Sequence, residues 1–328
     1  MRKGDSHSKV GLYLLLLVGL VALIPASLLY FNANNSGITS AATAGNTTVS
    51  VTINSAPTIN NIGPITSQTI SESSTTAVAI TFNVTDADGT GDINITSAQI
   101  RVNFSNDPNN NIRFNNSCLN TTTVNSTTIA FTCTVSMWYF DSEGNWTINA
   151  SARDLVIGAY AENHTFSFEL QQTTAMVIAP TALTWALLEK GTFNRTSTND
   201  PIIINNTGNK NISGSGLTVD GKDLRGVNTP SEHLGVANFS VASFSSSCAQ
   251  GGACMECNGT MLFNGSSGAS GAKPIINANI TRGNNSINSN NGTSGQEDLY
   301  FCLQQLASEI SRQTYDTSNY GTWTIAVS

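Results

Sequence analysis

From Ala77 onward the chain alternates apolar and polar residues with period two, and no other feature restricts its fold as tightly. In Val78-Ala-Ile-Thr-Phe-Asn-Val84 the apolar set is Val78, Ile80, Phe82 and Val84. The same parity runs through Ala98 to Phe104, Ile129 to Val135, Trp146 to Ala152 and Phe166 to Leu170. Successive side chains of a strand point to opposite faces, so this spacing turns one apolar face to a core and leaves a polar face outside. A core-facing helix would need apolar residues three and four apart. Half-buried antiparallel strands separated by turn residues therefore predict a β-sandwich over residues 75–175. Composition agrees. Only 11% of residues are charged, while Thr, Ser, Asn, Val and Ile abound.

A second module is expected over residues 181–328, after a junction at Met176 to Pro180. Its predicted strands are Ala182 to Leu187, Pro201 to Asn205, Ala237 to Val241, Ile275 to Ile280, Leu299 to Leu303 and Thr322 to Val327. Long polar loops separate some of them, chiefly Ser245 to Ser270 and Arg282 to Glu297. Both modules carry a similar phrase, Gly144-Asn-Trp-Thr-Ile148 and Gly321-Thr-Trp-Thr-Ile325. In each, a Gly-led turn feeds a strand whose Trp is expected to point inward.

The start of the chain has a different character. Gly11 to Phe31 is uncharged and long enough to span a hydrocarbon core as a helix. Arg2, Lys3 and Lys9 precede it, and no Lys or Arg follows before Arg101. That asymmetry predicts a single-pass signal-anchor at 11–31, with residues 1–10 in the cytoplasm and the rest on the extracellular face. Cleavage and secretion is the alternative. Residues 32–74 read as a Ser/Thr/Asn-rich stalk in which Val49 to Ile53 is a first strand, able to be donated to another sheet. Asn-x-Ser/Thr acceptor patterns recur throughout. Among the glycosylation candidates, Asn83, Asn103, Asn149, Asn238 and Asn279 fall on the polar phase of their strands. The expected fold class is thus all-β: two tandem Ig-like antiparallel sandwiches after one N-terminal transmembrane helix.

Val84-Thr-Asp-Ala-Asp-Gly-Thr-Gly-Asp92, with Cys133 to Asp154 behind it, resembles the Ig-like, cadherin-like and fibronectin-like modules of prokaryotic surface proteins. Leu183-Thr-Trp185, followed by Pro201-Ile-Ile-Ile-Asn-Asn-Thr-Gly-Asn209, is similar to β-sandwich segments of archaeal envelope and surface-layer proteins. These resemblances imply a cell-envelope protein used for structure or adhesion.

The chemistry-bearing residues are few. Asp86, Asp88 and Asp92 surround a Gly turn, and two readings stand: an Asx turn capping two strands, or convergence on a hard cation such as calcium. Asp141, Glu143 and Asp154 join such a site if the strand ends cluster. Cys118, Cys133, Cys248, Cys254, Cys257 and Cys302 are even in number and read as disulfides. Cys118 and Cys133 pair across neighbouring strands. Three connectivities are open to the other four, with Cys302 favoured opposite Cys248 or Cys257. The three histidines sit in no catalytic pattern, and no nucleophile elbow, zinc helix or phosphate loop occurs, so no enzymatic activity is expected. A net charge of −7 with no basic cluster argues against nucleic acid as a partner. The expected role is a structural component of the envelope (surface layer, coat or filament), with self-assembly or contacts to other envelope proteins or glycans. The alternative is an adhesin or a carbohydrate- or partner-binding surface module.

Overall fold

The structure is a computed structural model, and it describes residues 48–105, 111–156, 158–243, 255–262, 269–285, 292–318 and 320–328. Residues 53–328 pack as one unit that is strand and loop throughout, with helical geometry among the described residues confined to single 3-10 turns. The first half holds β1 (Thr58–Ile62), β2 (Thr75–Thr85), β3 (Gln99–Asn103), β4 (Ile112–Asn115), β5 (Leu119–Asn125), β6 (Thr128–Trp138), β7 (Gly144–Arg153) and β8 (Tyr160–Leu170). These form two four-stranded antiparallel sheets, in the orders β1-β2-β6-β5 and β4-β3-β7-β8. The alternating apolar residues of both sheets meet in one core. Ile80, Phe82, Phe131 and Val135 come from one sheet, and Ile100, Val102, Trp146, Ile148 and Phe168 from the other. Register aligns Phe82 with Phe131, whose rings stack with centroids 5.7 Å apart.

The sandwich has two poles. At one, β2 and β7 end while β6 and β8 begin. At the other lie the start of β2, the end of β6, the turn 139–143 and the end of β8. This second pole is held by a buried ion pair. Arg113 Nε lies 3.1 and 3.0 Å from the Asp141 carboxylate oxygens, and Arg113 Nη2 lies 2.5 Å from Oδ1. Asp141 Oδ2 also accepts the Trp138 N–H at 2.7 Å. The second half of the chain attaches here. Tyr139 Oη meets Ser294 Oγ at 2.7 Å, Arg282 Nη1 donates to the Phe140 carbonyl at 2.8 Å, and Asn209 Nδ2 donates to the Gln171 carbonyl at 3.0 Å.

The second half breaks into shorter pieces: β9 (Met176–Ala179), β10 (Phe193–Thr196), β11 (Ile202–Asn206), β12 (Leu217–Asp220), β13 (Leu224–Gly226), β14 (His233–Leu234), β15 (Phe239–Ala242), β16 (Thr260–Met261), β17 (Lys273–Pro274), β18 (Asn284–Asn285), β19 (Gly292–Thr293), β20 (Gln296–Gln305), β21 (Tyr315–Asp316) and β22 (Thr324–Val327). The largest sheet runs β16-β15-β20-β11-β9, with β10 also on β20. Three-stranded sheets β17-β12-β22 and β14-β13-β21 and the pair β18-β19 complete it. Its own core gathers Ile202, Ile204, Leu217, Val219, Phe239, Val241, Phe301 and Leu303.

Several expectations need correction. Two tandem Ig-like sandwiches behind a membrane helix do not describe this chain: the fold is all-β with several sheets, and the second half is not a plain two-sheet sandwich. Frequent Gly, Asn and Ser interrupt the alternation there before strands lengthen. Ala182 to Leu187, expected as a strand, joins no ladder among the described residues, although the Thr198 N–H donates to the Thr184 carbonyl at 2.7 Å, while Met176 to Ala179, read as a junction, is an edge strand. Ile275 to Ile280 contributes only an isolated bridge between Ile280 and Ile212. The membrane helix expected at 11–31 lies outside the described residues, and among those described no helix is long and apolar enough to cross a membrane. The anchor, the membrane contact, the single-pass topology with the N-terminus inside and the location built on it are corrected on that ground.

Candidate functional site

The pole away from the second half is acidic. Asp86 follows β2, and its N–H donates to the Thr127 carbonyl at 2.9 Å. Gly89, at φ 115°, supplies a backbone conformation open mainly to glycine and turns the chain into the 3-10 turn Thr90–Asp92. Asp88 N–H donates to Asp86 Oδ1 at 2.9 Å, an Asx turn of the kind expected. The turn does more than cap strands. Asp86, Asp88 and Asp92 each present a carboxylate oxygen, all within 4.8 Å of one another. Asp86 is fully buried, and Asp92 is nearly so. Asp86 Oδ2 and Asp92 Oδ1 are buried with no hydrogen-bond partner. The ion pairs of the described residues are Arg113–Asp141, Lys222–Asp220 and His233–Asp223, and none involves these three aspartates.

Asp154 joins from the end of β7, through an isolated bridge to Ile93. Burial first, then the charges of Asp154, Asp86 and Asp88, hold the Asp92 carboxyl above its ordinary range. Orphaned buried acceptors among like charges are unfavourable unless positive charge meets them. The donor set is all oxygen, which suits a hard cation. Asn54 Nδ2 donates to Asp154 Oδ2, and Ser55 N–H donates to Asp88 Oδ2 at 2.6 Å, so the chain leading into β1 is tied to the same carboxylates. Asp141, expected as a possible contributor, sits instead at the opposite pole on Arg113. Glu143 lies in that turn as well.

The cysteines fall into place as follows. Cys118 is bonded to Cys133, and Cys257 to Cys302. Cys248 and Cys254 lie outside the described residues. Of the glycosylation candidates, Asn103 and Asn279 are exposed, while Asn83, Asn149 and Asn238 are half-buried. Asn238 lies in a 3-10 turn, not in the strand expected for it.

A second feature was not read from the sequence. Between the edge strands β9 and β22 the second half opens into a groove of about 860 Å³. Ile178 of β9 and Trp323 and Ile325 of β22 are among its lining, with the fully buried Phe239 and Phe301 behind them. The segment Leu183 to Leu188 and the stretch Ile310 to Tyr315 also line it. Trp185 packs edge-on to Phe239 at 5.3 Å, and Phe239 edge-on to Trp323 at 5.1 Å. Their indole N–H groups donate to the backbone carbonyls of Arg195 at 2.9 Å and Lys222 at 2.7 Å, which leaves the ring bodies to line the groove. The far wall is pinned by Glu232, which accepts from Ser311 Oγ at 2.6 Å, Tyr315 Oη at 2.8 Å and Gln313 Nε2 at 3.0 Å. The Ser311 hydroxyl, then Tyr315, hold the Glu232 carboxyl below its ordinary range. The available signal was Leu183-Thr-Trp185: alternating apolar residues in a segment with no strand partner of its own.

No protein-family model matches the chain, and no curated protein matches it.

Proposed function

We propose that this chain is a non-enzymatic surface module that binds a partner, as an adhesin does, and that the partner enters the groove between β9 and β22. The observation that carries this reading is the groove itself. Its volume of about 860 Å³ and its lining, in which aromatic and aliphatic side chains alternate with polar and charged ones such as Thr184, Arg312 and Asp316, are those of a binding cleft. An apolar reporter dye tests it. Anilinonaphthalene sulfonate should gain fluorescence at a saturable site near the groove and lose it in Leu183→Asp. A dye response untouched by that change would place binding elsewhere and reject the reading.

The acidic pole supports a cation-dependent version of the same function, and we assign calcium to it, with Asp86, Asp88 and Asp92 as ligands beside Asp154. Calcium accepts six to eight oxygens in flexible geometry, which fits carboxylates on a turn. Terbium, a luminescent stand-in for calcium, should bind and be displaced by calcium, and Asp86→Asn should weaken both. Equal terbium binding in wild type and Asp86→Asn would reject the assignment. The expected coat or filament role is a second reading, favoured by the exposed apolar side chains of Val49, Val51 and Ile53.

A further inference from the structure

Strand β5, Leu119–Asn125, is exposed at every residue and ends its sheet, with β6 as its one neighbour among the described residues. It holds no charged residue and no Pro, while Leu119 and Val124 stand 71% and 52% exposed. An uncharged edge rich in Thr and Val invites pairing with a strand of another molecule. β8, at an edge of the facing sheet, carries the usual protection in Glu162 and Glu169, both exposed. β5 shifts register twice against β6, which twists it, but it has no charge to repel a neighbour. It has instead two acceptor patterns, Asn120-Thr-Thr122 and Asn125-Ser-Thr127, and both asparagines are exposed. Asn125 Oδ1 accepts from the Thr127 N–H at 2.9 Å and from Thr127 Oγ1 at 3.0 Å, so a substituent on Nδ2 breaks neither bond. Asn115, just before the strand, differs: its Nδ2 donates to the Thr134 carbonyl at 2.8 Å. Three asparagines expected as acceptors are tied in the same way. Nδ2 of Asn149 donates to Glu162, that of Asn238 to the Gly235 carbonyl and that of Asn279 to the Asn277 carbonyl.

We infer that Asn120 and Asn125 carry N-linked sugars, and that these sugars guard the open edge of β5 against pairing with another molecule. The donor is a glycosyl phosphate, delivered by a separate transferase. Nδ2 attacks the anomeric carbon of the sugar. The nitrogen–carbon bond forms as the bond from that carbon to the phosphate oxygen breaks, the phosphate leaves with the electron pair, and Nδ2 gives up one proton. The two hydrogen bonds at Asn125 Oδ1 draw electron density toward the oxygen and ease that loss. The Cys118–Cys133 disulfide, which begins at the residue before β5, fits an oxidising compartment outside the cytosol, where exported chains meet such transferases. Asn120 and Asn125 are about 17 Å apart along the strand. An incoming strand must lie about 4.8 Å from β5 over several residues. A bulky, hydrated sugar chain near each end closes that approach where side-chain charge is missing. Neither the groove nor the cation site is involved.

The test uses the full chain purified from the cells that make it. Glycopeptide mass mapping should find sugar on both Asn120 and Asn125. Thr122→Ala combined with Thr127→Ala removes both acceptor patterns but keeps both asparagines, and the Thr127 N–H can still reach Asn125. This variant should lose those sugars, and its sedimenting mass should exceed that of wild type and rise with concentration. Val124→Lys, added to the same variant at an exposed position, puts a charge on the bare edge and should return the mass to the wild-type value. That rescue separates an opened edge from a misfolded chain, which one surface charge would not repair. An unmodified Asn120 or Asn125 in the wild-type chain would overturn the inference. Sugars on both, with a variant whose mass matches wild type at every concentration, would overturn their role as a guard. Association that Val124→Lys leaves unchanged would overturn β5 as the edge they cover.

Discussion

The Asp141→Asn substitution tests how the sandwich is joined to the rest of the molecule. Arg113 and Asp141 are 2% and 0% exposed at their side chains, so neither charge has water as a substitute partner. Asn keeps the volume of Asp, and its amide oxygen can still accept the Trp138 N–H that reaches Asp141 Oδ2 at 2.7 Å. What is lost is the negative charge opposite the guanidinium. Removing one partner of a buried pair costs about 3–5 kcal/mol, because the guanidinium stays buried opposite a neutral amide. At about 2–4 °C per kcal/mol for a protein of this size, the melting temperature should fall by roughly 6–20 °C. Part of the loss reaches the second half, since Arg282 binds the carbonyl of Phe140 next to Asp141. Arg113→Met placed on top of Asp141→Asn should restore much of the stability, because a neutral buried pair carries no orphaned charge. The assay is a urea titration followed by Trp fluorescence for wild type, both single variants and the double variant. A single-variant cost below about 1 kcal/mol, or a double variant as unstable as the sum of the singles, would refute the reasoning.

Three further outcomes are expected. Phe131→Ala should cost about 3–5 kcal/mol, since Phe131 is fully buried against Phe82, and a cost under about 1 kcal/mol in denaturant titration would remove it from the core. Cys118→Ser with Cys133→Ser opens a loop of sequence separation 15 and should cost roughly 3 kcal/mol, with unchanged stability under reducing and oxidising conditions as the contrary result. Asp92 binds a proton more readily folded than unfolded, so in chelator the folded state should gain stability as pH falls through its raised pKa. With calcium, protons compete for the same carboxylate, so the calcium-dependent rise in melting temperature should shrink over that window. A rise that stays constant from neutral pH down past that window would refute Asp92 as a ligand.

The alternation of residues 78–84, 129–135 and 146–152 was legible because strand periodicity is local: each side chain faces away from its neighbours whatever the rest of the chain does. Trp146 and Phe82 were readable as core residues, and Asp86, Asp88 and Asp92 as neighbours, because a turn sets their spacing over a few residues. The reading failed where a residue's role depends on what lies beside it in space. Asp141 and Asp154 looked equally able to join the acidic turn, yet the ten residues of β7 separate them by about 30 Å, sending one to Arg113 and the other to Asp92. The groove was illegible for the same reason. Leu183-Thr-Trp185 and Thr322 to Val327 both read as strands, and periodicity alone says which face of a strand is apolar, never whether a neighbour pairs with its edge. The chain's own sequence determined an all-β fold, the parity of its cores and the turn that gathers three carboxylates. Only the tertiary structure decided which edges stay open and which charges meet, because strand pairing and ion pairing join residues far apart in the chain.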